Sequence, residues 1–378
     1  MNVMNVHLAI YDSKNAGIAS AALHLNPDKV ILLHRKQHDI EGIKSVLNSR
    51  GIKCHSQMVS FDPKQIRTIL KHIFLENQDN NLVFNASAGY RMMVLVTLEQ
   101  FTSRAMTAFV VDKFTNQLHW LHPSGKASDE LAVKLKIHEY LKLFASQVLN
   151  KGKTITEPQA RQALTNWLIE NIEQFGSPLA AMNHIAMRAD ISMQYHLDKG
   201  QRKRKHLQQI LTRFEEIGLL KIYQNKIVFK NEESRFYANG GWLENHVFST
   251  LFNMRQSRKT ISDLATGMEI VRAKGTIKNE IDVIAMANNR LHLIECKTRK
   301  FTNKNHANTP GSAAIYRLDT LKESLGGNSG KAMLISYQKL SRYTEQRAKD
   351  LGIYCCSYSQ LKQLQHHLFK FIDSTNLY

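Results

Sequence analysis

Three charged residues near the end of the chain could together carry out metal-assisted hydrolysis. Asp282 is followed by Glu295 thirteen positions later and by Lys297 two positions after that. Two carboxylates within reach of each other can hold Mg²⁺ or Mn²⁺, because hard cations take oxygen ligands. A lysine beside them can orient or deprotonate a water molecule and stabilise the charge of a phosphorane. These are the parts that metal-assisted cleavage of a phosphodiester needs.

The sequence around these residues predicts a β-hairpin. The runs 281–286 and 291–296 are largely apolar, and the stretch between them contains two asparagines, which tolerate the positive φ of a tight turn. Period-2 alternation puts Glu295 and Lys297 on one face of the second strand, and the hairpin places Asp282 opposite them. A solvated ion pair is the ordinary interpretation of Glu-x-Lys. Strands this apolar favour a functional interpretation, because a buried charge is costly.

A fourth acidic residue, Glu244, lies upstream in the segment 239–248, which predicts the start of a helix. With it, the pattern resembles the helix-Glu, Asp, Glu-x-Lys signature of the PD-(D/E)xK nuclease superfamily. Ile281 stands where that signature usually has proline, a departure that is frequent in the superfamily. The resemblance implies that Asp282 and Glu295 hold Mg²⁺ or Mn²⁺, that Glu244 supports the metal or its water ligands, and that Lys297 assists the attacking water.

Length and composition are those of an ordinary globular protein. The 378 residues predict two or three domains, each able to bury its own core, and 43% of the residues are hydrophobic and 22% charged. No apolar run approaches the ~20 residues that span a bilayer, and the first residues lack the features of a signal peptide. We therefore expect a cytoplasmic protein without membrane contact. The four cysteines show no Cys-x-x-Cys spacing, which disfavours a zinc site.

The net charge of +19 favours polyanionic partners. The excess is largest in residues 236–378, which carry 20 basic and 11 acidic residues. A nucleic-acid substrate would require such a surface, although a basic surface also serves solubility.

Residues 1–148 alternate strands and helices, which predicts a doubly wound, Rossmann-like sheet. Two loops follow its strands, at 11–15 and 84–93. Ligands bind at such strand ends, and the amides of a helix start suit a phosphate. There is no Gly-x-Gly-x-x-Gly, so a dinucleotide cofactor is disfavoured; the small residues could also merely permit a tight turn. Strands are predicted at 7–11, 29–34, 52–60, 82–86, 106–112 and 117–122, and the last two form an edge hairpin. Helices are predicted at 15–25, 40–49, 63–75 and 90–104.

The stretch Asn85–Arg91 (NASAGYR) is similar to the Asn-x-(Ser/Thr)-x-Gly-x-(Lys/Arg) motif of the CRISPR-associated Rossmann fold (CARF) domains. The resemblance implies a domain that dimerises and binds cyclic oligoadenylates, with the loop after the first strand as the second contact. The residues that it places at the ligand are Ser13, Asn15, Asn85, Ser87, Gly89 and Arg91.

Residues 149–235 predict a winged-helix-like connecting domain. Helices are expected at 157–173, 179–188 and 207–217, and two β-rich runs flank Gln224 and Asn225. The basic residues Arg202–Lys205 could contact a nucleic-acid backbone. A scaffold that contributes to dimerisation is the alternative, because a basic run is usually a solvated face.

Residues 236–378 continue after the hairpin with a predicted helix at 316–327, a strand at 331–337, a helix at 341–351 and a strand at 353–357. This order suits the mixed α/β, restriction-endonuclease-like core of the PD-(D/E)xK superfamily. Tyr316, Arg317 and Lys322 could line the site, although their spacing mainly indicates a helix. The polar stretch 300–311 is expected to be a loop that is mobile without substrate.

The two resemblances cover most of the chain, and their combination is similar to the cyclic tetra-adenylate-activated ancillary nucleases of type III CRISPR antiviral defence. This implies a homodimer in which the messenger binds across the CARF interface and allows the nuclease domains to cut DNA or RNA. A constitutive restriction or repair nuclease and a CARF-regulated transcription factor are the alternatives; the second leaves the Asp, Glu and Lys group unexplained. The sequence leaves open the choice between DNA and RNA, strandedness, the ring size of the activator and whether the CARF domain degrades it.

Overall fold

The computed structural model describes residues 3–60, 62–257, 259–272, 275–298 and 310–374. The predicted polar loop at 300–311 therefore lies almost entirely outside the described residues. Within the described ranges, no helix combines the length and the apolar character needed to cross a membrane.

The first third of the chain forms a doubly wound sheet, as the sequence predicts. Its elements are β1 (Asn5–Ile10), α1 (Gly17–Leu25), β2 (Lys29–His34), α2 (Glu41–Ser49), β3 (Lys53–Met58), α3 (Pro63–Glu76), β4 (Asn81–Asn85), α4 (Arg91–Thr102), β5 (Ala108–Asp112), β6 (Gln117–His122) and β7 (Asp129–Glu130). A helix and a strand that do not belong to this sheet follow, α5 (Ile137–Leu143) and β8 (Ser146–Asn150). The strand order is β3-β2-β1-β4-β5-β6-β7. The first five are parallel, while β6 and β7 add an antiparallel edge. Strands β1 and β2 are nearly continuous apolar runs because helices cover both faces of the sheet.

The middle of the chain has the winged-helix arrangement. Its elements are α6 (Gln159–Glu170), α7 (Ile172–Arg188), β9 (Gln194–His196), α8 (Lys199–Lys203), α9 (Lys205–Glu216), β10 (Leu220–Tyr223) and β11 (Lys226–Phe229). The strands pair antiparallel in the order β10-β11-β9. The predicted helix start at Leu179 is wrong, because α7 begins at Ile172 and contains Pro178. The buried side chains of Ile172 and Phe175, one turn apart, outweigh the local cost of that proline.

The last part of the chain contains a six-stranded mixed sheet. Its elements are α10 (Glu232–Phe236), α11 (Trp242–Ser257), β12 (Ile261–Arg272), β13 (Lys278–Ala287), β14 (Arg290–Lys297), α12 (Pro310–Gly326), β15 (Lys331–Ser336), α13 (Arg342–Asp350), β16 (Ile353–Ser357) and α14 (Leu364–Asp373). The order is β16-β15-β14-β13-β12-β8. The strands β14, β15 and β16 are parallel, and the remaining pairs are antiparallel.

The first sheet buries cores of its own, against α3 and α4 and around β5 and β6, as expected, but two larger cores are shared between parts of the chain. One core joins side chains of β1, β2, α1, α2 and α5 to α12 and one face of the six-stranded sheet. Another joins the winged-helix elements to α11, α14 and the opposite face of that sheet. Strand β8 pairs with β12, so the predicted boundary between residues 148 and 149 falls inside a strand of the last sheet. The six-stranded sheet is thus held between the first and the middle part of the chain.

Candidate active site

The predicted hairpin forms, and it occupies the centre of the six-stranded sheet. The two asparagines at 288–289 have φ angles of 50° and 54°, as a tight two-residue turn with matching twist requires. In the antiparallel pairing, Val283 lies opposite Ile294. Continued by one residue, this register sets Asp282 opposite Glu295. The local sequence therefore fixes which acidic residues face each other.

Alternation along β14 decides the face on which these residues lie. Leu293 belongs to the core shared with α12, whereas Ile294 belongs to the core shared with α11. Glu295 and Lys297 continue the first of these two faces because side chains alternate in a strand. The charged group is therefore formed where the apolar layer under α12 ends.

The structure brings the predicted acid pair and lysine into contact. Lys297 Nζ lies 2.6 Å from Glu295 Oε1 and 3.8 Å from Asp282 Oδ2. The backbone N–H of Cys296 donates to Asp282 Oδ2 over 2.7 Å and fixes the orientation of that carboxylate. The side chain of Glu295 is 5% exposed and that of Asp282 is 13% exposed, so water screens these charges poorly.

A second cation, Arg317 of α12, reaches the same carboxylate. Its Nη1 donates to Glu295 Oε1 over 2.8 Å, and its Nη2 donates to the carbonyl oxygen of Glu280 over 2.8 Å. The sequence suggested three residues of this helix that could line the site, and Arg317 is the one that contacts the acid pair. The guanidinium of Arg347 lies over the ring of Tyr316 instead, and Lys322 pairs with Asp319.

Burial and mutual repulsion raise the pKa values of two carboxyl groups of the site, Asp282 and Glu244. Burial, and after it the charge of Glu295, raises the pKa of Asp282 to about 7. Burial, and then the charges of Asp282 and Glu280, raise the pKa of Glu244 well above its ordinary value. Burial opposes protonation of Lys297, but the charges of Asp282 and Glu295 outweigh it and raise the pKa of that ammonium group. The buried acids therefore lack part of the positive charge that would keep them ionised.

The acid pair fits a divalent metal ion chemically. Asp282 Oδ2 and Glu295 Oε1 are hard oxygen donors that both approach the Lys297 ammonium. A divalent ion beside them would favour the ionised form of Asp282, against the burial that raises the pKa of this carboxyl. Among the residues that the structure describes, no three His, Cys, Asp or Glu side chains are arranged to hold a metal. Glu244 as a third ligand stays a prediction.

A cleft of about 420 Å³ reaches β13, the strand that carries Asp282. Its wall includes Glu244 from α11 and Glu280, which precedes Asp282 by two positions on the same strand. Sequence reasoning missed Glu280, although its period-2 spacing from Asp282 was the signal. Further lining residues are Lys153, Glu232, Glu233 and Phe236.

At the first sheet, the structure joins the two predicted ligand loops through their own side chains. Asn15 Nδ2 donates to the carbonyl oxygen of Ser87 over 2.6 Å, and Asn15 Oδ1 accepts from the N–H of Gly17 over 2.7 Å. Asn85 is buried, and its Oδ1 accepts from the N–H of Ser87 over 3.0 Å. Ser87 Oγ accepts from the N–H of Val111 over 2.8 Å. These three predicted residues shape the loops.

The other predicted residues lie at the surface of the same edge. Ser13 and Arg91 are exposed, and within the described part of the chain Arg91 has no ion pair. Gly89 has a φ of 111°, and a Cβ atom there would lie 2.5 Å from Ile10 Cγ2, so the turn requires glycine. Among the described residues, no side chain caps the N-terminus of α4, which leaves its first amides available to an anion.

Comparison with known proteins agrees with this geometry. Residues 231–374 match the Card1-like endonuclease domain. The structure of protein VC1899 from Vibrio cholerae aligns with a TM-score of 0.88 at 25% identity, over 99% of each chain. The structure of Can2 from Sulfobacillus thermosulfidooxidans in complex with cyclic tetra-adenylate aligns with a TM-score of 0.81 at 24% identity, over 98% of this chain and 99% of that one.

A type III CRISPR defence DNA nuclease activated by cyclic oligoadenylate aligns with a TM-score of 0.55 at 16% identity, over 89% of this chain and 47% of that one. No curated protein sequence matches the chain. This chain shares its architecture with the first two of these structures over nearly its whole length. In that architecture the Card1-like endonuclease domain begins at α10 and contains the acid pair, Lys297 and Arg317. The similarities to Can2 and to the type III CRISPR defence DNA nuclease, both below 25% identity, are similarities of fold.

Proposed function

We propose that this protein is a metal-dependent endonuclease of type III CRISPR antiviral defence that cyclic tetra-adenylate activates. Its substrate is DNA, with single-stranded RNA as a second substrate, and it acts in the cytoplasm. The observation that carries the proposal is the contact of Asp282, Glu295 and Lys297 inside a region that matches an endonuclease domain.

The chemistry follows from the residues of the hairpin. Asp282 and Glu295 would hold Mg²⁺ or Mn²⁺ through their carboxylates, with Glu244 supporting the metal or its water ligands. When bound, the metal supplies Lewis-acid polarisation of the phosphate and lowers the pKa of a water molecule. Lys297 orients the attacking water and offsets the negative charge that develops on the phosphoryl oxygens. The Cys296 amide keeps Asp282 in place throughout.

The activator site lies at the edge where β1 and β4 end. Asn15 bonds the first loop to Ser87 of the second, Asn85 shapes the second loop, and Arg91 offers an exposed charge at the start of α4. A cyclic oligoadenylate carries one negative charge per nucleotide, which an arginine and helix amides can bind.

A homodimer would complete the activator site. A ring of identical nucleotides fits a two-fold interface, because each subunit then presents the same loops to it. Tyr90 precedes the first residue of α4, and Leu95 lies one turn into that helix. Their side chains are 55% and 58% exposed, which supports an interface beside these loops.

The winged-helix part supplies a surface for the substrate backbone. Arg202, Lys203, Arg204 and Lys205 are all exposed where α8 meets α9, and none of them forms an ion pair with another described residue. Four adjacent cations attract phosphates without reading sequence. The strand β11 then leads to α10, whose Glu232 and Glu233 line the cleft.

One experiment tests the proposal as a whole. The purified protein is incubated with Mn²⁺ and plasmid, single-stranded DNA or RNA, with and without each cyclic oligoadenylate. We expect cleavage only with metal, and strong stimulation by cyclic tetra-adenylate. Equal cleavage without any nucleotide would favour a constitutive nuclease, and no cleavage under any condition would refute the proposal.

A further inference from the structure

Helix α12 connects the predicted activator loop to the acid pair. At its end, the N–H of Asn328 donates to the carbonyl oxygen of Lys14 over 3.2 Å, next to Ser13. Tyr140 Oη donates to the carbonyl oxygen of Gly326 over 2.9 Å and holds the same end from the opposite side. The loop after β1 is thus bonded directly to the end of a helix of the nuclease domain.

The contact at this end is close. Gly327 has a φ of +55°, and a Cβ atom there would lie 2.4 Å from the carbonyl oxygen of Lys14 and 2.4 Å from the ring of Phe144. Any larger residue would push the helix end and the loop apart. A displacement of the loop by a ligand would therefore be transmitted to the end of α12.

Further along α12, Arg317 binds the catalytic carboxylate. Its guanidinium bonds Glu295 Oε1 and the carbonyl oxygen of Glu280. Lys297 Nζ bonds the same oxygen of Glu295. Glu295 Oε1 thus carries two cations, and a divalent ion placed there would be a third positive charge within a few ångströms of both. Each of the two cations therefore weakens the binding of a metal ion to the Glu295 carboxylate.

Space for movement exists at the sensor end of α12. A cavity of about 480 Å³ is lined by Ser13 and Lys14 of the loop, by Glu323 and Ser324 of α12 and by Arg272 of β12. Lys14, which lines this cavity, also makes the hydrogen bond with Asn328 at the helix end.

We propose that Arg317 is an inhibitory positioning residue that occupies Glu295 in the resting state, and that α12 links its position to the activator loop. Movement of the loop on activator binding shifts α12 and withdraws the guanidinium, which removes one competing positive charge from the Glu295 carboxylate that would hold the metal. This inference rests on the proposed function, because it assigns the regulation of the same site.

The substitution Arg317→Gln tests the inhibitory contact. Because one charge-assisted contact on Glu295 is lost, we expect Mn²⁺ to bind about tenfold more tightly in calorimetry without activator. Cleavage without activator should also rise tenfold or more, and the activator should bind at least as tightly as to the wild type, because a contact of the resting state is lost. Arg317→Lys keeps the charge and should restore part of the inhibition. Thr320→Ala, on an exposed position of the same helix, is the matched control and should behave as the wild type.

The substitution Gly327→Ala tests the sensor end of the helix separately. The added methyl group should force Lys14 and α12 apart, so the ratio of cleavage with activator to cleavage without it should fall several-fold. Activator affinity, measured by calorimetry, should persist. An unchanged ratio would contradict the linkage through α12.

The outcomes separate this inference from the function on which it rests. If the wild type never cleaves, the proposed nuclease function fails. If the wild type responds to the activator but Arg317→Gln binds Mn²⁺ no more tightly and stays fully dependent on activator, only the inference fails. A folded Arg317→Gln variant that no longer cleaves would also overturn it, because the arginine would then assist catalysis.

Discussion

The raised pKa of Asp282 makes the metal-free protein sensitive to pH, and the substitution Asp282→Asn should remove that sensitivity. The pKa of this carboxyl rises from its ordinary 3.8 to about 7 in the folded state. Between those values, the folded protein keeps a proton that the unfolded chain releases. Stability is therefore lost as pH rises from about 4 to 7, and the loss stays constant above that range.

The magnitude follows from the size of the shift. About three pKa units, at about 1.4 kcal/mol each, give at most about 4 kcal/mol of lost stability at pH 8. The side chain of Asp282 is only 13% exposed, so solvent reduces this figure little. Asparagine carries no charge, and its Oδ1 can still accept from the Cys296 amide. We therefore expect Asp282→Asn to unfold at a temperature several degrees higher than the wild type at pH 8.

Thermal unfolding at pH 5 and pH 8, with a chelator or with Mn²⁺, measures this effect. The advantage of Asp282→Asn should shrink by half or more at pH 5, since the wild-type carboxyl is then protonated in the folded state. Mn²⁺ should stabilise the wild type at pH 8 and leave the variant unchanged. A parallel pH dependence of both proteins in the presence of chelator would refute the electrostatic description of the site.

The remaining predictions concern the activator, the dimer and the substrate surface. Arg91→Glu should leave the fold and metal binding intact but abolish the response of cleavage to cyclic tetra-adenylate; equal affinities of wild type and variant in calorimetry would move the activator site elsewhere. Sedimentation at micromolar concentration should give a homodimer, and a monomer with and without activator would contradict the two-fold site. Reversing the charges of Arg202, Lys203 and Arg204 should weaken substrate binding for all sequences. The slope of log affinity against log salt concentration should become shallower by up to about three. An unchanged salt slope would assign the winged-helix part to scaffolding.

The sequence predicted the hairpin because its information is local. A pair of asparagines sets the turn, and the alternation on either side sets the register, so no distant residue is needed to bring Asp282 and Glu295 together. The doubly wound sheet was predictable for the same reason, since strands and helices alternate with short connections.

What the sequence did not predict depends on packing between distant segments. Strand β8 is a short segment that becomes a strand by pairing with β12, more than a hundred residues away. Arg317 meets Glu295 only because α12 packs across β14. The shared cores likewise depend on how three parts of the chain assemble, and no single stretch of sequence contains that information.

A Mn²⁺ titration of cleavage in the presence of cyclic tetra-adenylate, with wild type and Glu295→Gln, tests the central claim most directly. Glutamine keeps the shape of the side chain but removes the charge that pairs with Lys297 and Arg317 and that we propose holds the metal. We expect metal-dependent cleavage by the wild type and a loss of several orders of magnitude in the variant, with the fold and activator binding retained. Cleavage by Glu295→Gln at a near wild-type rate and with the same metal dependence would show that the active site lies elsewhere.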